Sequence, residues 1–203
     1  MTGIKIANSE RVAFIGATGS GKTVLARFLM KGLNRVVVID PKHTFKADGF
    51  KNTWRLPAWS GDYRIIIRPT RDDDERLAGF LWKLFKAGSV TLYCDEAATT
   101  YEVFPETTDV LTEIARTGRE RRVGLWCAMQ RPRRVPLVLL TECESFFIFN
   151  CRSKDDRDLL RGYTGDEVLN KLERFKFLYY RAEETNPPGL LMLDVKKNQI
   201  IKV

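Results

Sequence analysis

The sequence predicts an α/β fold with a mostly parallel central sheet flanked by helices on both faces, and three observations carry that prediction. Short apolar runs of strand length recur at 12–15, 35–39, 89–96 and 123–129, too continuous for half-exposed strands and suited to strands buried on both faces. Between several of them lie segments with apolar residues at helical spacing. A glycine-rich stretch joins the first apolar run directly to such a helical segment.

That stretch lies within residues 11–29, R-V-A-F-I-G-A-T-G-S-G-K-T-V-L-A-R-F-L, where Gly16, Gly21, Lys22 and Thr23 complete the P-loop pattern G-x-x-x-x-G-K-[ST]. Glycines let backbone N–H groups turn inward around phosphate oxygens, and Gly19 loosens the loop further. Lys22 can reach the β- and γ-phosphates of ATP, and the Thr23 hydroxyl can ligate Mg²⁺. The candidate nucleotide-binding residues are therefore Gly16, Ala17, Thr18, Gly19, Ser20, Gly21, Lys22 and Thr23. Val24, Leu25, Phe28 and Leu29 recur at helical spacing, which places the loop on a helix N-terminus.

The β-branched run 35–39 stops at Pro41. Asp40 and Lys42 are left at a strand's C-terminal end, where open α/β sheets place ligands and where a strand-ending turn suits them as well. Residues 43–62, with Trp54, Pro57, Trp59 and Gly61, predict a loop excursion before a strand at 64–68. An acidic start at 72–75, a stripe of Leu77, Leu81, Leu84 and Phe85, and Gly88 at the end predict a helix.

Residues 89–96, S-V-T-L-Y-C-D-E, end a strand in two adjacent carboxylates about seventy residues after the P-loop, as a Walker B strand does. In that reading Asp95 holds the Mg²⁺ shell and Glu96 polarises the attacking water; an Asp-Glu turn is the bland alternative. The pair favours hydrolysis over phosphoryl transfer, because a kinase must offer a pocket for a second substrate.

Val110, Leu111, Ile114 and Ala115 form the face of the next helix, which runs into Arg116, Arg119, Arg121 and Arg122. The strand 123–129 follows, capped by Gln130, and then Arg131, Arg133 and Arg134. Beyond a short apolar run at 137–140, the pattern predicts a strand at 145–151, a surface helix at 154–161 and a helix at 166–174 with Val168, Leu169 and Leu172 inward. Strands at 177–180 and 190–193 are joined by a turn at Asn186-Pro187-Pro188-Gly189, and 199–203 adds an edge.

The 203 residues, 44% of them hydrophobic, are expected to form a single domain over 1–203. No apolar run approaches the roughly 20 residues of a membrane span and the first ten residues lack a signal-peptide pattern, so a cytosolic protein without stable membrane insertion is expected. The four cysteines show no C-x-x-C pair and are expected to be reduced packing residues. His43 is the only histidine, which nearly excludes a histidine zinc site or a Ser-His-Asp hydrolase. A net charge of +8 points to a polyanionic partner, nucleic acid before membrane, although a solvated basic face carries the same charge.

The ordered set G-A-T-G-S-G-K-T, L-Y-C-D-E-A and G-R-E-R-R-V-G-L-W-C-A-M-Q-R-P resembles the FtsK/HerA superfamily of ring-forming DNA translocases. The discriminating segment is Gln130-Arg131-Pro132 with Arg119 upstream, and the short length looks most like the genome-packaging ATPases of tailless icosahedral viruses with an internal membrane. The resemblance implies a RecA/ASCE-like P-loop NTPase that binds ATP and Mg²⁺ in a homo-oligomeric ring, with each ATP between neighbouring subunits. It carries over Lys22, Glu96, Gln130 and Arg119 as catalytic residues: Gln130 as γ-phosphate sensor and Arg119 as the finger acting in trans, with Arg116 and Arg122 as alternatives. Thr23 and Asp95 carry over as the metal-binding pair. The implied partners are double-stranded DNA, held through its phosphates, and a capsid vertex protein, with a location in the host cytoplasm or on the virion. Arg131, Arg133, Arg134, Lys42 and Lys46 are the candidate DNA contacts. A cellular or plasmid translocase, a small-molecule kinase and a nucleotide-switch assembly protein are the alternatives.

Overall fold

The computed structural model describes residues 4–56, 61–183 and 188–203. In chain order the elements are β1 (Arg11–Ile15), α1 (Lys22–Met30), β2 (Arg35–Ile39), β3 (Lys51–Asn52), β4 (Tyr63–Ile67), α2 (Asp74–Ala87), β5 (Val90–Cys94), α3 (Ala97–Val103) and α4 (Pro105–Thr117). There follow β6 (Val123–Met129), α5 (Val138–Thr141), β7 (Ser145–Ile148), α6 (Lys154–Thr164), β8 (Lys176–Arg181), β9 (Gly189–Asp194) and β10 (Gln199–Lys202). They build one sheet in the order β10-β9-β8-β7-β1-β6-β5-β2-β4-β3. Every pairing from β7 across to β3 is parallel, and β7, β8, β9 and β10 pair antiparallel.

The continuous apolar runs are explained by the two faces they serve. Alternate residues of each central strand enter opposite layers, as the two-residue period of a strand requires. Ala13, Ile15, Val37, Leu92, Leu125 and Cys127 pack with α2, α4 and α5 through Leu81, Ile114 and Leu140. Val12, Phe14, Val36, Tyr93 and Trp126 pack on the other face with Leu25, Ala26 and Met30 of α1. Helices thus cover both faces, but unequally. The α1 side is filled largely by aromatic rings, Phe14 stacking on Phe147 at 5.1 Å and Phe147 on Tyr179 at 5.0 Å.

An N-terminal strap ties down the edge where the parallel strands begin. Thr91 donates to the Asn8 carbonyl, Ser145 to the Glu10 carboxylate, and Glu144 accepts from the Arg11 N–H at 2.8 Å. Gly124 lies against this strap so closely that an added Cβ would fall on the Asn8 carbonyl. Gly124→Ala should therefore lower stability by about 1–3 kcal/mol, read as a lower unfolding midpoint by calorimetry.

The structure departs from the sequence reading in places. The expected helix at 166–174 is a single 3-10 turn, Asp166–Leu169, and Leu169, expected inward, is 41% exposed while Val168 is buried. Asn170 is already extended because the chain must return to the P-loop, where the Phe175 N–H bonds to the Ser20 carbonyl at 2.9 Å. The strand expected over 145–151 leaves its ladder after Ile148 for a related reason: the Asn150 carbonyl accepts from the Ala17 N–H at 2.9 Å. The excursion at 43–62 contains the two-residue strand β3. The turn expected at Asn186-Pro187-Pro188-Gly189 lies largely outside the described residues, as do Pro57 and Trp59, but the strands it joins pair as expected.

All four cysteines are free and buried. Burial pushes the Cys94 and Cys151 thiols up to about 12 and raises those of Cys127 and Cys143 as well, so none presents a thiolate at neutral pH. A disulfide-exchange reagent at pH 8 should label almost no thiol in the native protein and four per chain after denaturation.

Candidate functional site

The parallel register brings the ends of β1, β6 and β5 to one edge of the sheet. Ile15 pairs with Met129, and Cys94 with Cys127, so Gly16, Gln130 and the carboxylates of Asp95 and Glu96 emerge side by side. The loop from Gly16 then turns into α1. Gly16 and Gly21 have φ of 149° and 120°, and a Cβ at either would stand 2.7 Å from Phe149 or Phe175 respectively. Glycine is required at both positions on conformational and steric grounds.

Lys22 and Thr23 open α1. The Lys22 ammonium donates to the Gly16 carbonyl at 2.7 Å and the Ala17 carbonyl at 3.1 Å, folding back over the loop. Burial lowers its pKa, while Glu96 and Asp95 oppose that shift. A desolvated cation facing the concave side of a glycine loop is set to meet phosphate oxygens.

Asp95 lies two residues beyond Tyr93 and so shares its strand face, the face α1 covers. Tyr93 donates to Asp95 Oδ1 at 2.9 Å and Thr23 donates to the same oxygen at 3.2 Å. Glu96 adopts φ 74°, a left-handed conformation uncommon outside glycine. In an extended strand two consecutive carboxylates point to opposite faces; the left-handed turn at Glu96 lets both serve the same edge.

Glu96 is held from two sides. Lys42 donates to Oε2 at 3.1 Å and the Gln130 amide N–H donates to Oε1 at 3.4 Å, while the Gln130 side chain also donates to Oε2. The Gln130 side-chain oxygen Oε1 in turn accepts from the Thr18 hydroxyl of the P-loop at 2.8 Å. A relay thus runs from the loop through Gln130 to Glu96. Asp40 takes no part: fully buried, it accepts from the Thr44 and Phe45 N–H groups at 3.0 Å each and from Arg68 at 3.2 Å, which makes it the turn-forming residue at the end of β2.

Lys22, Thr23, Asp95, Glu96 and Gln130 therefore converge. Arg119 does not join them. It precedes β6 and pairs with Glu144 at 3.5 Å beside Arg11, at the opposite edge of the sheet. The seven residues of β6 put about 20 Å between the two edges, so Arg119 cannot reach the P-loop of its own chain. Arg116 and Arg122 sit exposed at that same edge. The candidate DNA contacts are partly engaged within the chain: Arg131 pairs with the buried Asp156 at 2.8 Å, Arg133 donates to the Asp155 carbonyl at 2.9 Å and Arg134 lies 3.6 Å from Glu102. The Lys42 ammonium lies on Glu96, and Lys46 is exposed. Sequence reasoning missed Tyr93, whose spacing from Asp95 was the available signal. It also missed Arg174 and Phe175, which line the P-loop cleft and carry no motif.

Thr23 and Asp95 supply two adjacent oxygen ligands, which fits Mg²⁺, an ion normally held by one or two protein groups with phosphate and water completing its shell. Among the described residues no larger cluster of His, Cys, Asp and Glu could hold a metal. No helix among them is long and apolar enough to cross a membrane.

A glycine loop between a central parallel strand and a helix, with a carboxylate pair two strands away, defines the P-loop ATPase fold. Among solved structures the chain is similar to the genome packaging NTPase B204 from Sulfolobus turreted icosahedral virus 2 in complex with sulfate, with a TM-score of 0.68 and 18% identity over 91% of this chain and 96% of that one. It is similar to B204, the DNA-packaging ATPase from Sulfolobus turreted icosahedral virus, at a TM-score of 0.64 and 18% identity over 97% of both chains. EccC from Thermomonospora curvata (ATPases 2 and 3, with a signal sequence peptide) aligns at a TM-score of 0.65 and 12% identity over 91% of this chain and 38% of that one. No family model and no curated protein matches the chain.

Burial raises the Asp95 carboxyl above its ordinary value, against the Tyr93 and Thr23 hydrogen bonds that lower it. The folded chain then holds this proton more tightly than the unfolded chain, so stability falls as pH rises from the ordinary carboxylate range through the raised value. Asp95→Asn should raise the unfolding midpoint of the nucleotide-free protein at pH 7, and the gap from wild type should close as pH falls to about 4.

Proposed function

We propose that the chain is an ATP-hydrolysing motor that translocates double-stranded DNA, packaging a viral genome into a preformed capsid. The observation that carries this reading is the relay from Thr18 through Gln130 to Glu96, which connects the phosphate loop to a carboxylate poised for water. The similarity in fold to two genome-packaging enzymes supports it.

In this mechanism the backbone N–H groups of 16–23 cradle the phosphates and Lys22 leaves the loop carbonyls to neutralise the β- and γ-phosphate oxygens. Thr23 and Asp95 would hold Mg²⁺, which would supply positive charge beside the phosphate oxygens. Glu96 orients the attacking water and accepts its proton once Lys42 no longer screens it. Gln130, bonded to both Thr18 and Glu96, senses the γ-phosphate and passes its loss to the rest of β6.

The position of Arg119 supports action in trans. With the finger and the P-loop at opposite edges, one subunit's arginine completes its neighbour's site only in a ring, which makes hydrolysis conditional on assembly. An arginine so placed contributes about 10³–10⁵ in rate. Exposed basic side chains, Lys46 and the guanidinium surfaces of Arg133 and Arg134 among them, hold DNA through its phosphates, since a motor must pass every sequence. The assembly works in the host cytoplasm at a capsid vertex protein. A cellular or plasmid DNA translocase of the same superfamily is the alternative reading.

The test is ATP hydrolysis across a range of protein concentrations, with and without linear duplex DNA. The wild-type rate should rise faster than linearly with concentration and increase with DNA. Glu96→Gln and Arg119→Ala should each lose at least about a hundredfold in kcat. A constant rate per subunit with an active Arg119→Ala variant would overturn the shared site, and phosphorylation of a small-molecule acceptor would replace the motor with a kinase.

A further inference from the structure

The P-loop of this chain has a second wall that the catalytic relay does not use. On the β5 side of β1 stand Asp95 and Glu96; on the other side, also two strands away, the chain enters β8 at Arg174 and Phe175. These two residues close a cleft of about 120 Å³ with Gly19, Gly21, Lys22, Thr23 and Val24. Phe175 is fixed there by backbone bonds: its N–H donates to the Ser20 carbonyl at 2.9 Å and its carbonyl accepts from the Leu193 N–H at 3.0 Å. It holds φ 66°, a left-handed conformation that a bulky aromatic residue adopts rarely. The Arg174 guanidinium lies over its ring at 4.7 Å.

Resting on the nucleotide reading above, we propose that Phe175 and Arg174 form the nucleobase platform of the site. The polarity of the cleft supplies the direction. Lys22 and Thr23 draw the β- and γ-phosphates towards Asp95, so the α-phosphate and nucleoside leave the loop on the side facing away from Asp95, where Arg174 and Phe175 stand. A half-exposed aromatic ring with an exposed cation over it is a stacking surface for a π-system, and base–aromatic stacking strengthens binding whatever the base. The left-handed backbone at Phe175, held by its bonds to Ser20 and Leu193, fixes the ring against Gly21.

The experiment is calorimetric titration of the full chain with MgATP and, separately, with magnesium tripolyphosphate, which carries the phosphates and lacks the base. Phe175→Ala and Phe175→Leu should weaken ATP binding about tenfold or more while leaving tripolyphosphate within about twofold of wild type. Phe175→Tyr should retain ATP affinity, and Arg174→Ala should weaken ATP more than tripolyphosphate. If Phe175→Leu binds ATP as wild type does, or if both ligands weaken in step, Phe175 only props the loop and the platform is wrong. A wild-type chain that binds neither ligand would overturn the nucleotide reading itself, and the platform with it.

Discussion

Everything at the site depends on the parallel register of three strands. Because β1, β6 and β5 run the same way and pair as Ile15 with Met129 and Cys94 with Cys127, their C-terminal ends finish at one level. Each strand then contributes a different chemical group to that edge: a glycine loop from β1, an amide from β6, two carboxylates from β5. Backbone hydrogen bonds set this alignment and bring groups remote in sequence within reach of one another, as the bonds from Thr18 to Gln130, Gln130 to Glu96 and Thr23 to Asp95 show. The price is that each strand must be buried on both faces, which accounts for the unbroken apolar runs.

The two neighbouring carboxylates at the edge are given different environments by the same backbone. Asp95 continues the strand and points under α1, where Tyr93 and Thr23 hold it in a desolvated setting. Glu96 turns left-handed out of the strand and meets Lys42 and Gln130. One carboxylate is thereby placed against the helix that carries the hydroxyl ligand, and the other against the groups that report on the loop. Lys42, contributed by the strand beside β5, connects the far side of the sheet to Glu96.

The unequal covering of the sheet has a related consequence. Among the described residues α2 to α6 pack on one face, whereas α1 stands on the other over a layer of aromatic rings. The chain from α6 stays on the helix-rich face through Val168 and Leu172 and reaches the α1 side only at Phe175, where Arg174 and Phe175 line the cleft beside the glycine loop. The aromatic layer below, from Phe149 to Phe177, supports both the loop and the returning segment.

Much of this was legible in the sequence because it is written in local patterns. The P-loop, the strand ending in Asp95 and Glu96 and the strand ending in Gln130 each carry composition and spacing within a few residues, and the structure brings them together. The helix expected at 166–174 was misread because Val168, Leu169 and Leu172 suggested a helical stripe, whereas the chain there is pulled out of a helix by bonds from Phe175 to Ser20 and Leu193. The Lys42 pairing, the structural role of Asp40 and the capture of Arg131 by Asp156 were equally invisible, since each depends on partners remote in sequence. The separation of Arg119 from the P-loop is a matter of strand direction: residues before and after one parallel strand emerge at opposite edges, and only the assembled sheet says which groups share an edge. Local patterns determined which chemistry the chain contains; long-range backbone pairing decided which parts of it meet.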